Sequence, residues 1–188
     1  IDHKIFSVLN HPNISVFLNT EIEQVFGYVG NFETEIKPNG KEVKLNFGNV
    51  IVATGLKPFD AKKVLNYGYG KLPNVITSVD FEQVLKSGII ITRDGRVPKD
   101  IAIIHCVGSR NEDYNTYCSR TCCMAALKFM NQIKSALPET NIYDIYSDMR
   151  AFGKGCEELY STTSKKNVMF LTFDHKNNLP QIRQASYK

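Results

Sequence analysis

Several features that would place this chain in a common functional class are missing from its sequence. No apolar run is long enough to span a bilayer, and no signal-peptide pattern opens the chain. The formal net charge of +4 is spread over the whole length, without a basic block or an aromatic-basic patch suited to nucleic acid. We therefore expect a globular protein of the reducing cytoplasm, with no membrane span and no nucleic-acid partner.

Two short cofactor motifs are also absent. The chain has no G-x-G-x-x-G turn, which lets a dinucleotide pyrophosphate lie on the N-terminus of a helix. It has no C-x2-C pair, the spacing used by thioredoxin-like dithiol enzymes and by many zinc sites. The four histidines show no ligand spacing, so we expect them to be surface or strand residues.

What the sequence does contain is a group of four cysteines in the pattern C-x11-C-x3-C-C. They are Cys106, Cys118, Cys122 and Cys123, and the fifth cysteine, Cys156, lies outside the group. Cys106 follows an apolar run typical of a buried strand, and the other three open a helical segment. The four thiols are therefore predicted to converge at one strand-to-helix junction.

Four interpretations of these cysteines compete. Structural disulfides are disfavoured in a reducing compartment, and adjacent cysteines pair only in a strained geometry. A four-iron cluster tolerates irregular spacing because it spreads its thiolate ligands over a wider shell than a single ion does. This favours an iron–sulfur cluster. A zinc-stabilised structural module and a dithiol oxidoreductase using Cys118 with Cys122 remain as alternatives.

The first part of the chain, residues 1–58, is predicted to be β-structure. Short strands are expected at residues 14–18, 21–25, 31–36 and 42–47, followed by a buried strand at 50–53. That strand runs into Ala53, Thr54 and Gly55, where the missing Cβ of glycine lets backbone approach a ligand closely. Residues 59–74 are predicted to be a connecting hinge.

Residues 75–188 are predicted to form an α/β domain. A short helix over 79–85, capped by Ser78 or Asp80, precedes a strand pair around Asp94 and Gly95. A βαβ unit follows, with a strand at 101–107, a helix at about 119–137 and a strand at 142–147. On the helical wheel the cysteines share the core-facing side, and Lys128 falls on the opposite face.

The residues match a known family in many blocks, in order and over almost the whole chain. The chain resembles the A subunit of heterodisulfide reductase and its electron-bifurcating relatives. The matching blocks are HPNI at 11–14, GYVGNF at 27–32, IVATG at 51–55, YGYG at 67–70, NVITS at 74–78, CVGSR at 106–110, YCSR at 117–120, CCM at 122–124 and RAFGKG at 150–155.

The resemblance implies a fragment of a two-domain, thioredoxin-reductase-like fold of Rossmann type, in which an FAD domain is interrupted by an NAD-domain-like domain. Residues 1–58 would be part of the FAD domain, with flavin contacts from the Ala-Thr-Gly segment at 53–55, and residues 75–188 would carry a 4Fe-4S cluster. The family's ligands map onto the four grouped cysteines. The resemblance also implies a lysine beside the flavin at Lys128, with Glu82 as its acidic partner.

The same resemblance implies an oxidoreductase subunit that passes electrons between FAD and the cluster. Its expected partners are the other subunits of a heterodisulfide-reductase-like complex, a ferredoxin, and a hydrogenase or dehydrogenase module. The family's G-x-G-x-x-G segment is missing here. We therefore expect the chain to be a fragment that binds FAD weakly or not at all and is inactive alone.

Overall fold

The computed structural model describes residues 2–184. The chain divides into two compact units, one ending at Leu56 and the other beginning at Lys57. The predicted hinge residues 59–74 belong to the second unit, where they form two short 3-10 helices, Ala61–Lys63 and Leu65–Tyr67. Among the described residues no helix is both long and apolar enough to cross a membrane. The mixed α/β class is confirmed, whereas the two-domain Rossmann-type assignment stays a prediction.

The first unit contains one helix and a three-stranded antiparallel meander. Helix α1 spans Asp2–Leu9, and strands β1, β2 and β3 span Phe26–Tyr28, Asn31–Ile36 and Val43–Phe47 in the order β1-β2-β3. Strands β2 and β3 confirm the predictions for 31–36 and 42–47. The strands predicted at 14–18 and 21–25 are wrong, because in this region only an isolated bridge from Ile22 to Ile36 is formed.

The predicted buried strand at residues 50–53 is also wrong. These residues form no ladder, and the side chains of Ile51 and Val52 are 91% and 78% exposed. A β-branched run becomes a buried strand only where a neighbouring strand pairs with it and another layer covers it. The described residues of this unit supply neither to the segment, so its apolar character alone does not make it a strand.

The second unit is built around a parallel sheet. It contains helix α2 (Ser78–Ser87), strand β4 (Asp100–Ile104), helix α3 (Cys122–Ala136), strand β5 (Asn141–Tyr146), helix α4 (Cys156–Ser164) and strand β6 (Val168–Thr172). The sheet order is β4-β5-β6, with both neighbouring pairs parallel. The predicted βαβ unit is confirmed as β4-α3-β5. Helix α4 and strand β6 extend it by a second crossover that sequence analysis missed.

Helix α3 supplies much of the core of this unit. Leu127, Met130 and Ile133 are fully buried and belong to one apolar cluster with Ile142 of β5 and Val168 of β6. The side of α3 predicted to face the core does so. The helix begins at Cys122 rather than near Ser119, because Arg120 has a positive φ of 60° and cannot continue a right-handed helix. Cys118 consequently lies in the loop before the helix.

The N-terminus of α2 carries a capping box made by Thr77 and Asp80. The Thr77 hydroxyl accepts from the Asp80 backbone N–H at 3.2 Å, and the Asp80 carboxylate accepts from the Thr77 backbone N–H at 2.9 Å. Thr77, rather than the predicted Ser78 or Asp80, is therefore the N-cap. The strand pair predicted around Asp94 and Gly95 is wrong, since these residues form only a turn closed by side-chain hydrogen bonds of Thr92.

Removing this cap has a measurable expected cost. Thr77→Ala should lower the free energy of unfolding by roughly 0.5–2 kcal/mol, because Asp80 N–H loses its partner. The pKa of Asp80 is lowered, chiefly by the Thr77 hydroxyl. The capping contribution is therefore complete above the unfolded-state pKa of about 3.9 and is lost as pH falls through the lower folded-state pKa. Urea unfolding at several pH values tests both points.

The exposed Thr162 in α4 provides a matched control for the cap variant. Its hydroxyl donates to the Glu158 carbonyl one turn earlier in the helix and caps no N-terminus. Thr162→Ala should change the free energy of unfolding by less than about 0.5 kcal/mol. Equal losses in the two variants would contradict the capping role of Thr77.

Candidate metal centre

The predicted ligand Cys106 lies just beyond the end of strand β4. His105 still donates its backbone N–H to Ile145 of β5, and Cys106 then adopts a positive φ of 57° that turns the chain away from the sheet. The Ser109 N–H closes this turn on the Cys106 carbonyl at 3.1 Å. The turn leaves the side chain of Cys106 only 7% exposed.

Gly108 belongs to this turn, and a larger residue at this position would force neighbouring atoms to move. Its φ is +73°, and a Cβ atom built on it would lie 2.3 Å from the ring of Phe59. The ring packs directly over the glycine and meets Tyr114 edge-on, with 5.3 Å between ring centroids. Phe59 therefore forms a lid over the turn that carries Cys106.

The loop between β4 and α3 is held closed on itself. Arg110 N–H donates to the Tyr117 carbonyl at 3.0 Å, and the Asn115 amide donates to the Gly108 carbonyl at 2.7 Å. This closure brings Cys118 back toward the start of α3. Cys118 is partly buried, and its sulfur accepts a hydrogen bond from Arg120 N–H at 3.3 Å.

The thiols of Cys106, Cys122 and Cys123 lie close enough to shift one another's pKa values. The pKa of Cys122 is lowered, first by the bond from Cys106 and then by the bond from Cys123. The pKa values of Cys106 and Cys123 are raised, first by their bonds to Cys122 and then by burial. The first thiolate of the group is thus stabilised by neighbouring S–H donors. Thiolate is the form that binds a metal.

Backbone groups after β5 also support Cys123. Its sulfur accepts from Arg150 N–H at 3.4 Å and lies 3.7 Å from the Asp148 carbonyl. All five cysteines are free, and Cys156 packs against the apolar core from the first turn of α4. The structure therefore places the four predicted ligands around one junction, with the sulfurs of Cys122 and Cys123 within 4.8 Å of each other. Their role as ligands stays a prediction.

The histidine before Cys106 is buried in the same region. Its Nε2 lies 2.7 Å from Oδ1 of Asp144, and the two side chains are 1% and 0% exposed. A ring nitrogen of His105 and the sulfurs of Cys122 and Cys123 all lie within 4.8 Å of one another. The spacing of the histidines predicts no ligand role for His105. The sequence feature that indicates its buried position is Asp144, a carboxylate within an apolar strand that needs a buried partner.

Lys128 and Glu82 are brought together as the resemblance implies. The Lys128 ammonium lies 3.2 Å from the Glu82 carboxylate, joining α3 to α2, and both side chains are about half exposed. The structure shows this ion pair but tests no flavin role for it. The pair belongs to the second unit.

The predicted flavin contacts Ala53, Thr54 and Gly55 lie in the first unit and are exposed. Gly55 has a φ of +70°, but a Cβ atom there would meet nothing within 4 Å. An exposed segment facing open space is not a cradle for an isoalloxazine ring or a pyrophosphate. The described residues around this segment do not form a flavin site on their own.

The chain has clear relatives among known proteins, although no protein-family model matches it. It is 44% identical over 136 residues to an iron–sulfur A subunit, numbered 1, of the CoB--CoM heterodisulfide reductase of Methanopyrus kandleri, covering 67% of this chain and 20% of that protein. It is 41% identical over 144 residues to the A subunit of the Ferredoxin/F(420)H(2)-dependent CoB-CoM heterodisulfide reductase of Methanosarcina acetivorans, covering 73% of this chain and 18% of that protein.

A third relative belongs to an enzyme whose name begins with H(2). The chain is 42% identical over 133 residues to the A subunit of the H(2):CoB-CoM heterodisulfide,ferredoxin reductase of Methanothermobacter thermautotrophicus, covering 67% of this chain. The chain spans about a fifth of the length of these relatives. All three names describe the A subunit of a heterodisulfide reductase. Over its matched region, the chain therefore belongs to the A-subunit family of heterodisulfide reductase.

Proposed function

We propose that this chain is the iron–sulfur electron-transfer part of a heterodisulfide-reductase-like oxidoreductase subunit. Cys106, Cys118, Cys122 and Cys123 would hold one 4Fe-4S cluster at the junction of β4 and α3. The observation that carries the proposal is the close approach of the Cys122 and Cys123 sulfurs, which lie within 4.8 Å of each other and of a ring nitrogen of His105, the residue before the buried Cys106. The Methanopyrus kandleri relative is named as an iron–sulfur subunit, which supports it.

The donor set fits a cluster in its chemistry. Four thiolates are the usual ligands of a four-iron cluster, which accepts or gives one electron at a time. Burial of Cys106 and Cys123 restricts water at the sulfurs, and hydrogen bonds from backbone N–H groups tune the cluster potential. The Arg150 and Arg120 N–H groups are already directed at two of the four sulfurs. Cys118 lies in the loop before α3 and is partly buried.

FAD is the second cofactor of the longer subunit in this proposal, as the resemblance implies. We assign this chain no step of flavin chemistry, because the described residues 53–55 do not form a cradle for the group. The expected electron partners are a ferredoxin and the other subunits of the complex, with a hydrogenase or dehydrogenase module behind them. Two of the relatives named above carry ferredoxin in their names. Electron bifurcation and a cytoplasmic location belong to the same proposal.

The first experiment is a metal analysis of the whole chain purified without oxygen. Iron, acid-labile sulfide and zinc should be measured together with a visible spectrum and an EPR spectrum of the reduced protein. We expect about four irons and four sulfides per chain. Protein that takes up zinc but assembles no cluster on reconstitution would contradict the proposal and return the site to the structural alternative.

The dithiol alternative draws no support from the geometry. A dithiol enzyme needs its attacking and resolving thiols adjacent, and the pair considered from the sequence was Cys118 with Cys122. The sulfur of Cys122 instead lies within 4.8 Å of that of Cys123, and the sulfur of Cys118 accepts from Arg120 N–H. This arrangement supports the proposed ligand role more than a Cys118–Cys122 dithiol.

Substitution of Lys128 distinguishes a functional role of its ion pair with Glu82 from a structural one. Because both side chains are about half exposed, the pair should contribute less than about 1 kcal/mol to stability. Lys128→Met in the longer subunit should leave the urea midpoint nearly unchanged and slow electron transfer about tenfold, equivalent to roughly 1.4 kcal/mol of barrier. Stopped-flow measurement of the electron-transfer rate tests the second part.

The exposed Lys165 at the end of α4 is the matched control for charge. Lys165→Met removes the same positive charge away from the ion pair and should leave the rate unchanged. Equal rates in the Lys128 and Lys165 variants would remove Lys128 from the functional site.

A further inference from the structure

Several polar atoms of the second unit are buried without a partner among the described residues, and one of them, on His105, lies in the region of the cysteines. Nδ1 of His105 is inaccessible to solvent and makes no hydrogen bond to that part of the chain, although Nε2 of the same ring is bonded to Asp144. A buried polar atom left unpaired costs on the order of 1–3 kcal/mol. Such an atom beside a group of thiols indicates a missing partner.

The pairing with Asp144 fixes which nitrogen is available. A buried carboxylate at 2.7 Å from Nε2 favours the tautomer that carries its proton on Nε2. Nδ1 then has a free lone pair, which is what a metal ion binds. Metal-binding histidines usually donate their other ring N–H to a carboxylate in this way, because the bond orients the ring and raises its basicity.

The spacing of the donor atoms suits a single ion. A ring nitrogen of His105 and the sulfurs of Cys122 and Cys123 all lie within 4.8 Å of one another. A tetrahedral zinc ion, with Zn–S of about 2.3 Å and Zn–N of about 2.0 Å, places its ligand atoms roughly 3.5–3.8 Å apart. Small side-chain adjustments therefore bring three donors into the shell of one ion. A cluster needs its thiolates spread more widely.

We propose that His105, Cys106, Cys122 and Cys123 form a second metal site that binds one divalent ion of the zinc class whenever no cluster is present. Cys106 is the candidate fourth ligand because it directly follows His105 and is buried in the turn that ends strand β4. Three sulfurs and one nitrogen are a common tetrahedral zinc set. Asp144 does not touch the ion and acts as a positioning residue for His105.

The single-ion site and the proposed cluster share three cysteines, so one chain holds one or the other. Each site has one ligand that the other lacks. His105 is a ligand only of the single ion, and Cys118 is a ligand only of the cluster. The two proposals therefore fail independently. This difference provides the test.

The experiment uses the whole chain, freed of metal and kept without oxygen, with Co²⁺ as the spectroscopic probe and Zn²⁺ as competitor. The unchanged sequence should bind one Co²⁺ with thiolate-to-cobalt charge-transfer bands and the visible bands of a tetrahedral ion. Cys118→Ala should bind Co²⁺ with unchanged affinity. His105→Gln keeps an N–H group that can reach Asp144 but removes Nδ1, and should lose at least about tenfold in affinity.

A third variant tests the positioning role without altering a ligand. Asp144→Asn should weaken Co²⁺ binding by about 10- to 100-fold while the charge-transfer bands keep their intensity at saturation. Circular dichroism of each variant shows whether the chain still folds. Co²⁺ binding by His105→Gln as tight as in the unchanged chain would overturn the proposal, and so would loss of binding in folded Cys118→Ala.

Iron–sulfur reconstitution of the same variants separates this inference from the proposed function. Cys118→Ala should fail to assemble a four-iron cluster, and His105→Gln should assemble one. Absence of a cluster in every variant, with the Co²⁺ results as expected, would contradict the proposed function alone. Cluster assembly as expected, with Co²⁺ binding insensitive to His105, would contradict the single-ion site alone.

Discussion

Replacing Cys122 and Cys123 together by alanine is expected to abolish cluster assembly. Iron and sulfide should fall from about four each per chain to nearly zero, and the visible absorption of the cluster should disappear. The expected effect is this large because the variant removes two of the four predicted ligands, whose sulfurs lie within 4.8 Å of each other. Two remaining cysteines are too few to hold a four-iron cluster.

The matched control for this variant is Cys156→Ala. Cys156 is a free cysteine of the same unit, but it begins helix α4 and packs on the apolar core. The Cys156→Ala variant should retain full iron and sulfide content after anaerobic reconstitution. A folded double variant that still holds a complete cluster would remove the ligand assignment for Cys122 and Cys123. Loss of the cluster in Cys156→Ala alone would show that the fifth thiol had been wrongly left out.

Truncating Leu127 to alanine is expected to destabilise the second unit by about 2–5 kcal/mol. Leu127 is completely buried at the centre of the core beneath the proposed metal centre. Removing its branched end deletes buried methyl groups and leaves a cavity that the close-packed surroundings fill only in part. Urea unfolding followed by far-UV circular dichroism should show a lower midpoint with a similar slope.

Leu65 provides the control with the same chemical change in the same unit. Its side chain is 70% exposed, so Leu65→Ala deletes the same atoms without opening a cavity. The free energy of unfolding should change by less than about 0.5 kcal/mol. Similar losses in both variants would show that the effect arises in the unfolded chain and not in the core.

The sequence was sufficient to predict the βαβ part of the unit that carries the proposed metal centre. The apolar run at 101–104, the helical spacing of Leu127, Met130 and Ile133, and the second run near Ile142 each carry a strong local signal. The connection from α3 to β5 is short, and a strand-helix-strand unit with parallel strands allows few alternative arrangements. The convergence of the cysteines on the β4-α3 junction follows from the same pattern, because the end of a strand and the start of the next helix are close in space.

Other parts of the structure depend on contacts that no local pattern reveals. Residues 50–53 have the composition of a buried strand, but strand formation requires a neighbour to pair with, and the segment has none among the described residues. The early start predicted for α3 failed at a single residue, Arg120, whose left-handed backbone is set by the loop. The pair of His105 and Asp144 joins residues 39 positions apart in the sequence. Only the register of β4 against β5 brings them together.

The packing of Phe59 on Gly108 limits how this protein can vary. Any side chain at position 108 would collide with the ring, and the backbone there has a φ of +73° that disfavours every residue but glycine. A smaller residue at position 59 would relieve the collision but not the backbone strain. The two positions are therefore not independent mutational sites. During evolution, position 59 can accept other residues while glycine is kept at position 108. Gly108 cannot be replaced before Phe59 is.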